Sequence, residues 1–421
     1  MQVPELTASG IVSVLIFWLI VWHRWSRQAG RPLPTVSAPN RSPLKNPPLV
    51  SIIVPARNEA HQITACVRSL LAQDYPRFEV IVVDDCSEDG TGALVAKLAE
   101  TDTRLTMVRG SPLPEGWMGK AHACYQGYCR AQGDWLLFTD ADTEHASFLL
   151  SGVMAHMLDS GGSFATVLAR QRHPSFGVYL ANLAVFTYIF MVVDPKSFTN
   201  PRSRQSLVNG QFLLFSREAY EAIGTHAAVR HYSSTDVSLG YLAKLEGWVP
   251  LLIDGRRALQ TTMYRSFSEA FLSWSRSLVN GIWTALGPSA GSLVLLTMTV
   301  GLCLFWIAPW LLWVRGLVSL NSTALLVSSL QIFAGLAVLR IARERWLVAL
   351  RDGLLMPVAF LLFTAMVGVG LARAGMRRGT LWKGRLVQTA QRLPRWKPKA
   401  VRIPRHARDA GEPDPAGTAR G

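Results

Sequence analysis

The chain has 421 residues, of which 49% are hydrophobic and only 17% charged, with a formal net charge of +15. That length leaves room for more than one domain, and the composition argues against a wholly soluble protein. The charge does not make nucleic acid the expected partner, because much of the basic excess lies beside apolar stretches, where anionic lipid headgroups account for it.

Residues 6–21 form an uncharged apolar run followed by His23, Arg24, Arg27 and Arg31. A signal peptide has the reverse order, so residues 1–30 read as an uncleaved anchor with the following chain on the cytoplasmic side. Residues 31–48 carry Pro32, Pro34, Pro39, Pro43, Pro47 and Pro48 and read as an extended linker. Strands and helices then alternate: strand 50–54, helix 60–72, strand 79–83, helix 92–99, strand 105–108, a helix around 122–132 and strand 135–138. This pattern predicts an α/β fold with a mainly parallel sheet and right-handed crossovers.

Ligands of such sheets gather at the carboxyl ends of the strands. The first strand runs into Pro55, Arg57 and Glu59. The second ends in Asp84-Asp85, and a carboxylate there suits a nucleobase or ribose. Gly116-Trp-Met-Gly-Lys120 puts a lysine on a glycine-flanked loop that opens a helix, a suitable contact for diphosphate. The fourth strand ends in Asp140-Ala-Asp142, oxygen ligands suited to Mg²⁺ or Mn²⁺. His145 has two readings, a further metal ligand or a capping or surface histidine. Cys66, Cys86, Cys124, Cys129 and Cys303 show no zinc spacing, and the four in the middle region fit a reducing compartment.

Residues 176–193 are apolar and nearly long enough to span; they read as an interfacial helix or as a core helix of the globular domain. Three longer apolar stretches follow, 291–313, 316–338 and 353–372, each able to cross about 30 Å of hydrocarbon. Three crossings place the basic tail outside, against the positive-inside rule, so their number stays open, the middle stretch with Asn321 and Gln331 being the weakest. The expected divisions are an anchor (1–30), a linker (31–48), a catalytic domain (49–285), a transmembrane region (286–373) and a basic, partly disordered tail (374–421) on a multi-pass protein of the cytoplasmic membrane.

The motifs Ser51-Ile-Ile-Val-Pro-Ala-Arg-Asn-Glu59, Val82-Val-Asp-Asp-Cys-Ser-Glu-Asp-Gly-Thr91, Thr139-Asp-Ala-Asp142, Asn209-Gly-Gln-Phe-Leu-Leu-Phe-Ser-Arg-Glu-Ala-Tyr220 with Ile223-Gly224, and Thr235-Asp236 with Leu239 and Gly247 occur in order. In this set the chain resembles glycosyltransferase family 2, the inverting nucleotide-sugar enzymes of the GT-A fold, over about residues 50 to 285. Gly116-Trp-Met-Gly-Lys120, Met263-Tyr264 and Trp382-Lys-Gly-Arg385 resemble the subgroup acting on lipids, such as hopene-associated and carotenoid-acid glycosyltransferases. The resemblance implies a nucleotide-sugar donor, UDP-linked by expectation, a lipid acceptor, and Mn²⁺ or Mg²⁺. It implies that Pro55, Arg57, Glu59, Asp85, Lys120 and Asp140 face the donor, with Asp85 on uracil and Lys120 on phosphate. By the same resemblance Asp142 is the principal metal ligand and Asp236 the general base. A metal offsets charge on the departing diphosphate, and a carboxylate across the sugar ring assists in-line attack.

Two departures matter. Thr235 stands where the base is usually preceded by Glu, and Ser273-Trp-Ser-Arg-Ser-Leu-Val-Asn280 replaces the Gln-x-x-Arg-Trp segment of processive synthases. Single-sugar transfer is therefore favoured over polymer synthesis, with Trp274 a candidate for stacking on the acceptor. A nucleotidyltransferase needs a glycine-rich basic loop after the first strand, which Pro55-Ala-Arg-Asn-Glu does not supply. A non-enzymatic membrane scaffold is disfavoured because every key carboxylate is present.

Overall fold

The computed structural model describes residues 33–36, 46–192, 195–200, 203, 208–232, 234–248, 250–346, 350–375, 380–382, 385–387, 393–394, 397–400 and 402. The expected anchor at 1–30 lies outside them, as do most of the linker and the end of the tail. The chain divides into two compact units, one comprising Leu33–Arg172, Pro195–Met263 and Leu381–Gly421, the other Met1–Pro32, His173–Asp194 and Tyr264–Thr380.

The first unit is built in chain order from β1 (Val50–Ala56), α1 (Ile63–Leu71), β2 (Phe78–Asp84), α2 (Thr91–Ala99), β3 (Leu105–Arg109), α3 (Gly119–Arg130), β4 (Trp135–Phe138), β5 (Thr143–His145) and α4 (Leu149–Ser160). It continues with β6 (Phe164–Leu168), β7 (Arg170–Gln171), β8 (Leu213–Ser216), α5 (Arg217–Ala222), α6 (Thr235–Leu245), β9 (Leu251–Asp254) and β10 (Leu259–Thr261). Seven strands form one sheet in the order β3-β2-β1-β4-β8-β6-β9. The β3-β2-β1-β4 half is parallel, β8 runs antiparallel to both β4 and β6, and β6 pairs parallel with β9. Strands β5, β10 and β7 make a small second sheet.

Both faces of the main sheet are covered, which is why β1 reads as a continuous apolar run. Side chains alternate across a strand, so Ile52 and Val54 enter a core with Ile63, Val67 and Leu70 of α1 and Val153 and Met157 of α4. Ile53 faces the other way, into a core with Leu136, Phe138, Tyr220 and Leu239. Linker residue Thr35 forms a parallel bridge with Asp254, and Asp254 N–H donates to the Pro34 carbonyl at 2.8 Å, so this part of the expected linker extends the sheet beyond β9.

Tail residues return to the same unit. The Lys399 N–H donates to the Leu245 carbonyl at 2.8 Å and the Arg402 N–H to the Gly247 carbonyl at 3.0 Å. Lys399 and Arg402 pair with Glu246 at 2.6 and 3.4 Å, and the Tyr241 hydroxyl donates to the Pro394 carbonyl at 2.7 Å. This stretch of the tail is therefore docked on the end of α6. Gly247, at φ +89°, permits the approach: a Cβ there would lie 2.1 Å from the Ala400 carbonyl oxygen.

The second unit is helical: Phe176–Val192, Phe267–Leu286, Pro288–Trp306, Ala308–Val318, Ser322–Trp346 and Met356–Gly375. Among the described residues, two segments are long and apolar enough to cross a membrane, Pro288–Val318 and Met356–Gly375. In the middle stretch the apolar part is only Ser322–Ala337, short of a span. Leu293, Leu296, Val300, Leu304 and Leu311 are exposed along Pro288–Val318. Helix Phe176–Val192 is largely buried within this unit rather than in the core of the sheet unit, with Val178, Ala181, Ala184 and Val185 inaccessible.

Candidate active site

The carboxyl ends of β1, β2 and β4 meet at one edge of the parallel half-sheet, and two loops there brace each other. Glu59 N–H donates to Thr91 Oγ1 at 2.8 Å, Ala60 N–H to Asp89 Oδ2 at 2.9 Å, and Glu88 N–H to Asn58 Oδ1 at 2.9 Å. Arg57 donates to the Asp85 and Cys86 carbonyls at 2.6 and 3.1 Å. Asp85 itself is buried, its N–H held by the Ala56 carbonyl at 2.8 Å. Arg57 and Glu59 thus fix the loop on which Asp85 sits.

Next along the edge is a pocket lined by Pro55, Lys120, Asp140, Gly210, His226 and Asp236, among others. It is partly open to solvent, and its room for water centres, about 10 Å³, is close to that of one water. Lys120 stands in the first turn of α3, as the glycine-flanked loop predicts, and its ammonium pairs with the Asp140 carboxylate. Burial alone would lower its pKa, but Asp140 and then Asp236 outweigh it and hold the group above the ordinary lysine value. Asp236 lies in the first turn of α6, where the helix dipole favours a carboxylate. Its Oδ2 accepts the Gly210 N–H at 3.0 Å and its Oδ1 the Val237 N–H at 2.9 Å. A side chain at Gly210 would intrude, since a Cβ would sit 3.0 Å from Lys120 Nζ and 3.1 Å from Asp236 Oδ2.

The turn carrying Asp140 and Asp142 is locked from beneath. The Thr143 hydroxyl donates to the Asp140 carbonyl at 2.6 Å, and the Thr139 hydroxyl donates to the Gln211 carbonyl at 2.7 Å. His145 belongs to this buried support. Its Nε2 lies 3.2 Å from Thr139 Oγ1 and its Nδ1 3.4 Å from Ser69 Oγ. Burial pushes its pKa down to about 3, so it is neither a cap nor a surface residue. Asp142 is tied to β10: the Thr262 N–H donates to its carbonyl at 3.1 Å and the Thr261 hydroxyl to Oδ1 at 3.3 Å.

The described residues contain no group of three or more His, Cys, Asp or Glu side chains arranged around a cation. Two carboxylates on one rigid turn fit a hard divalent ion that takes its remaining ligands from water and diphosphate. Asp140 and Asp142 are of that kind, and His145, engaged in hydrogen bonds on both ring nitrogens, is not among the donors.

The pocket therefore joins Pro55, Lys120, Asp140 and Asp236 of the expected set, while Arg57, Glu59, Asp85 and Asp142 flank it on the same edge. Asp85 acts within electrostatic reach of pocket residue Cys124, whose thiol burial pushes up to about 12, with Lys120 opposing and Asp140 and Asp85 adding to the rise. Trp274 belongs to the helical unit, where it is buried, donates to Asn182 Oδ1 at 2.8 Å and packs against Phe186 and Tyr264. Sequence reading gave no role to Gly210, Cys124 or His226. Cys124 carried one signal, its i+4 spacing from Lys120 on one helix face, whereas His226 carried none.

A mixed, mainly parallel sheet of this order, with an Asp-x-Asp turn at its carboxyl edge, is the GT-A type of α/β fold. The solved mannosyltransferase PcManGT from Pyrobaculum calidifontis, in complex with GDP-Man and Mn2+, shares it with a TM-score of 0.51 at 20% identity, over 87% of this chain and 96% of that one. Residues 51–224 match the family model described as glycosyl transferase family 2. Among curated relatives, the putative teichuronic acid biosynthesis glycosyltransferase TuaG of Bacillus subtilis is 35% identical over 118 residues, 28% of this chain and 45% of the relative. A 4,4'-diaponeurosporenoate glycosyltransferase of Staphylococcus aureus is 25% identical over 270 residues, 61% of this chain and 68% of the relative. The matches thus span from under half to about two thirds of these relatives' lengths.

Proposed function

We propose that the protein is a membrane-bound inverting glycosyltransferase that moves one sugar from a nucleotide sugar, UDP-linked by expectation, to a lipid hydroxyl. The observation that carries this is the gathering of Lys120, Asp140 and Asp236 around one pocket of a glycosyltransferase family 2 domain. Asp85 is assigned to the base or ribose of the donor, with Pro55, Arg57 and Glu59 shaping its loop. Lys120 is assigned to the diphosphate. Asp142, helped by Asp140, would hold Mn²⁺ or Mg²⁺, and when bound the ion would supply charge neutralisation at the leaving diphosphate. Asp236 takes the proton from the acceptor hydroxyl as it attacks the anomeric carbon from the face opposite the leaving group. Thr235, buried against the pocket, leaves Asp236 without the acidic neighbour usual in this family.

The similarity to diaponeurosporenoate glycosyltransferases supports an apolar acceptor, as do the exposed leucines of Pro288–Val318. A cytoplasmic catalytic domain follows from the same reading. The docking of Pro394, Lys399 and Arg402 on α6 supports an even number of crossings between Met263 and Leu381, since both ends of that stretch then leave the membrane on one side. The divisions at 30, 48, 285 and 373 are proposed with it.

The test uses membranes containing the protein, extracted lipids, labelled UDP- and GDP-hexoses, and Mn²⁺, Mg²⁺ or EDTA. Transfer to lipid is expected with a divalent ion and absent with EDTA, and Asp142→Ala and Asp236→Asn are each expected to reduce it at least 100-fold. Full transfer by either variant would refute the assigned roles.

A further inference from the structure

His226 lines the pocket and is 2% exposed, yet neither the donor nor the acceptor chemistry above uses it. It is held with care. The Tyr220 hydroxyl lies 2.6 Å from His226 Nδ1 and also accepts the His226 backbone N–H at 3.0 Å. The phenol proton is assigned to Nδ1, the acceptor recorded within reach of it, which leaves the ring hydrogen on Nε2. Tyr220 is itself fully buried, packed against Phe138, Phe215 and Tyr128.

The backbone leading to the ring is strained. Thr225, β-branched, sits at φ +59° and ψ −167°, a region that side chains other than glycine seldom occupy. Such outliers persist where surrounding structure enforces them, and they cluster at functional sites. Here the enforcing contacts are Thr225 N–H to the Tyr220 carbonyl at 3.0 Å and Ala227 N–H to Thr225 Oγ1 at 3.2 Å. The result is an imidazole presented to the floor of the pocket.

The ionisable groups that face it are Lys120 and Cys124 from α3, Asp140 from the end of β4, Tyr220 from α5 and Asp236 from α6. Burial, reinforced by the Lys120 cation, pushes His226 down to about 3, so the ring adds no second positive charge beside Lys120.

We propose that His226 is a positioning residue for the transfer: its Nε2–H donates to one water in the pocket floor, shared with Asp236 and Lys120, and so holds the base in line with the acceptor. The pocket space matches one water, and that water would have the several polar partners a buried water needs. The proposal rests on the glycosyltransferase reading, since it presumes Asp236 as the base.

The full-length protein in membranes is assayed with whichever of UDP-glucose, UDP-N-acetylglucosamine and GDP-mannose supports wild-type transfer. His226→Phe is expected to lower kcat about tenfold while the donor KM stays within about twofold, because the Lys120 side chain and its pairing with Asp140 are kept. His226→Gln, whose amide N–H can replace Nε2–H, is expected to recover kcat to within threefold of wild type. Tyr220→Phe is expected to lower kcat, and Tyr220→Phe with His226→Phe to be no worse than His226→Phe alone, as for two members of one chain of contacts. An unchanged kcat in His226→Phe would overturn the proposal. So would a Gln variant as slow as Phe with an equal drop in unfolding temperature, which marks a packing role only. Asp236→Asn separates the two levels: if it keeps full activity the glycosyltransferase mechanism fails, whereas its inactivity beside a normal His226→Phe removes the His226 proposal alone.

Discussion

Replacing Lys120 by methionine removes the only cation lining the pocket among the described residues while keeping the length of the side chain. Lys120 pairs with Asp140, and its Nζ and Asp236 Oδ2 both lie about 3 Å from the position of a Gly210 Cβ, so they are at most about 6 Å apart. At an effective dielectric near 20, a pair of charges is worth about 4 kcal/mol at 4 Å and roughly 3 kcal/mol at 6 Å. The Lys120 side chain is 30% exposed, and solvent screening together with the desolvation already incurred takes back much of this. A net loss of about 2 kcal/mol is expected, or about 4–8 °C in unfolding temperature for a unit of this size. The sign with pH is set by the direction of the shift. The folded-state pKa of Lys120 is raised, so its contribution is complete below the unfolded lysine value and fades only as pH rises through the higher folded value. Between pH 6 and 9 the wild-type contribution is therefore constant. The measurement is thermal unfolding of both proteins in detergent at pH 8. A variant that unfolds within 1 °C of wild type would show that Lys120 is not electrostatically linked to Asp140 and Asp236.

His145 gives a pH dependence of opposite sense. Its folded pKa is pushed down to about 3, so the stability it confers is complete above the unfolded value near 6.5 and is lost as pH falls towards 3. His145→Gln is expected to flatten the decline in unfolding temperature between pH 6.5 and 4, and an unchanged slope would mean that the buried histidine is not its source. At the other end of α6, Gly247→Ala meets both a positive φ and a carbonyl 2.1 Å from the new Cβ. A loss of about 2 kcal/mol is expected from the left-handed alanine and the two backbone bonds to the tail. Limited trypsin digestion should then cut at Lys399 or Arg402 well before it does in wild type, and an identical time course would contradict the docking.

The parallel half of the sheet was legible because each of its signals is local. Strand 50–54 extends to Val50–Ala56, helix 60–72 is Ile63–Leu71, and the helix placed around 122–132 starts earlier, at Gly119, where the glycine-flanked loop ends. Strand β8 did not appear in the α/β alternation, since it enters antiparallel between β4 and β6 after a helical excursion assigned to the other unit. The same distinction runs through the site. Carboxylates at strand ends could be read from strand periodicity, so Asp85, Asp140 and Asp142 stood out. The pairing of Lys120 with Asp140, the N–H of Gly210 on Asp236 and the contact of His145 with Ser69 join positions 20, 26 and 76 residues apart, and no local pattern records them.

Hydropathy shows the same limit more sharply. Whether 20 residues can cross a bilayer is a local property, and three stretches near the end passed by length. Which side the chain ends on is a parity, and parity changes with each stretch added or removed. Two features bear on it together. Asn321 and Gln331 flank or interrupt the middle stretch, whose apolar helix among the described residues is Ser322–Ala337, and Pro394, Lys399 and Arg402 are bonded to the helix that carries Asp236 or to its end. In the reading proposed above, the argument for an even count is the contact of Lys399 and Arg402 with Glu246, an interaction between positions 153 and 156 residues apart that no local hydropathy records.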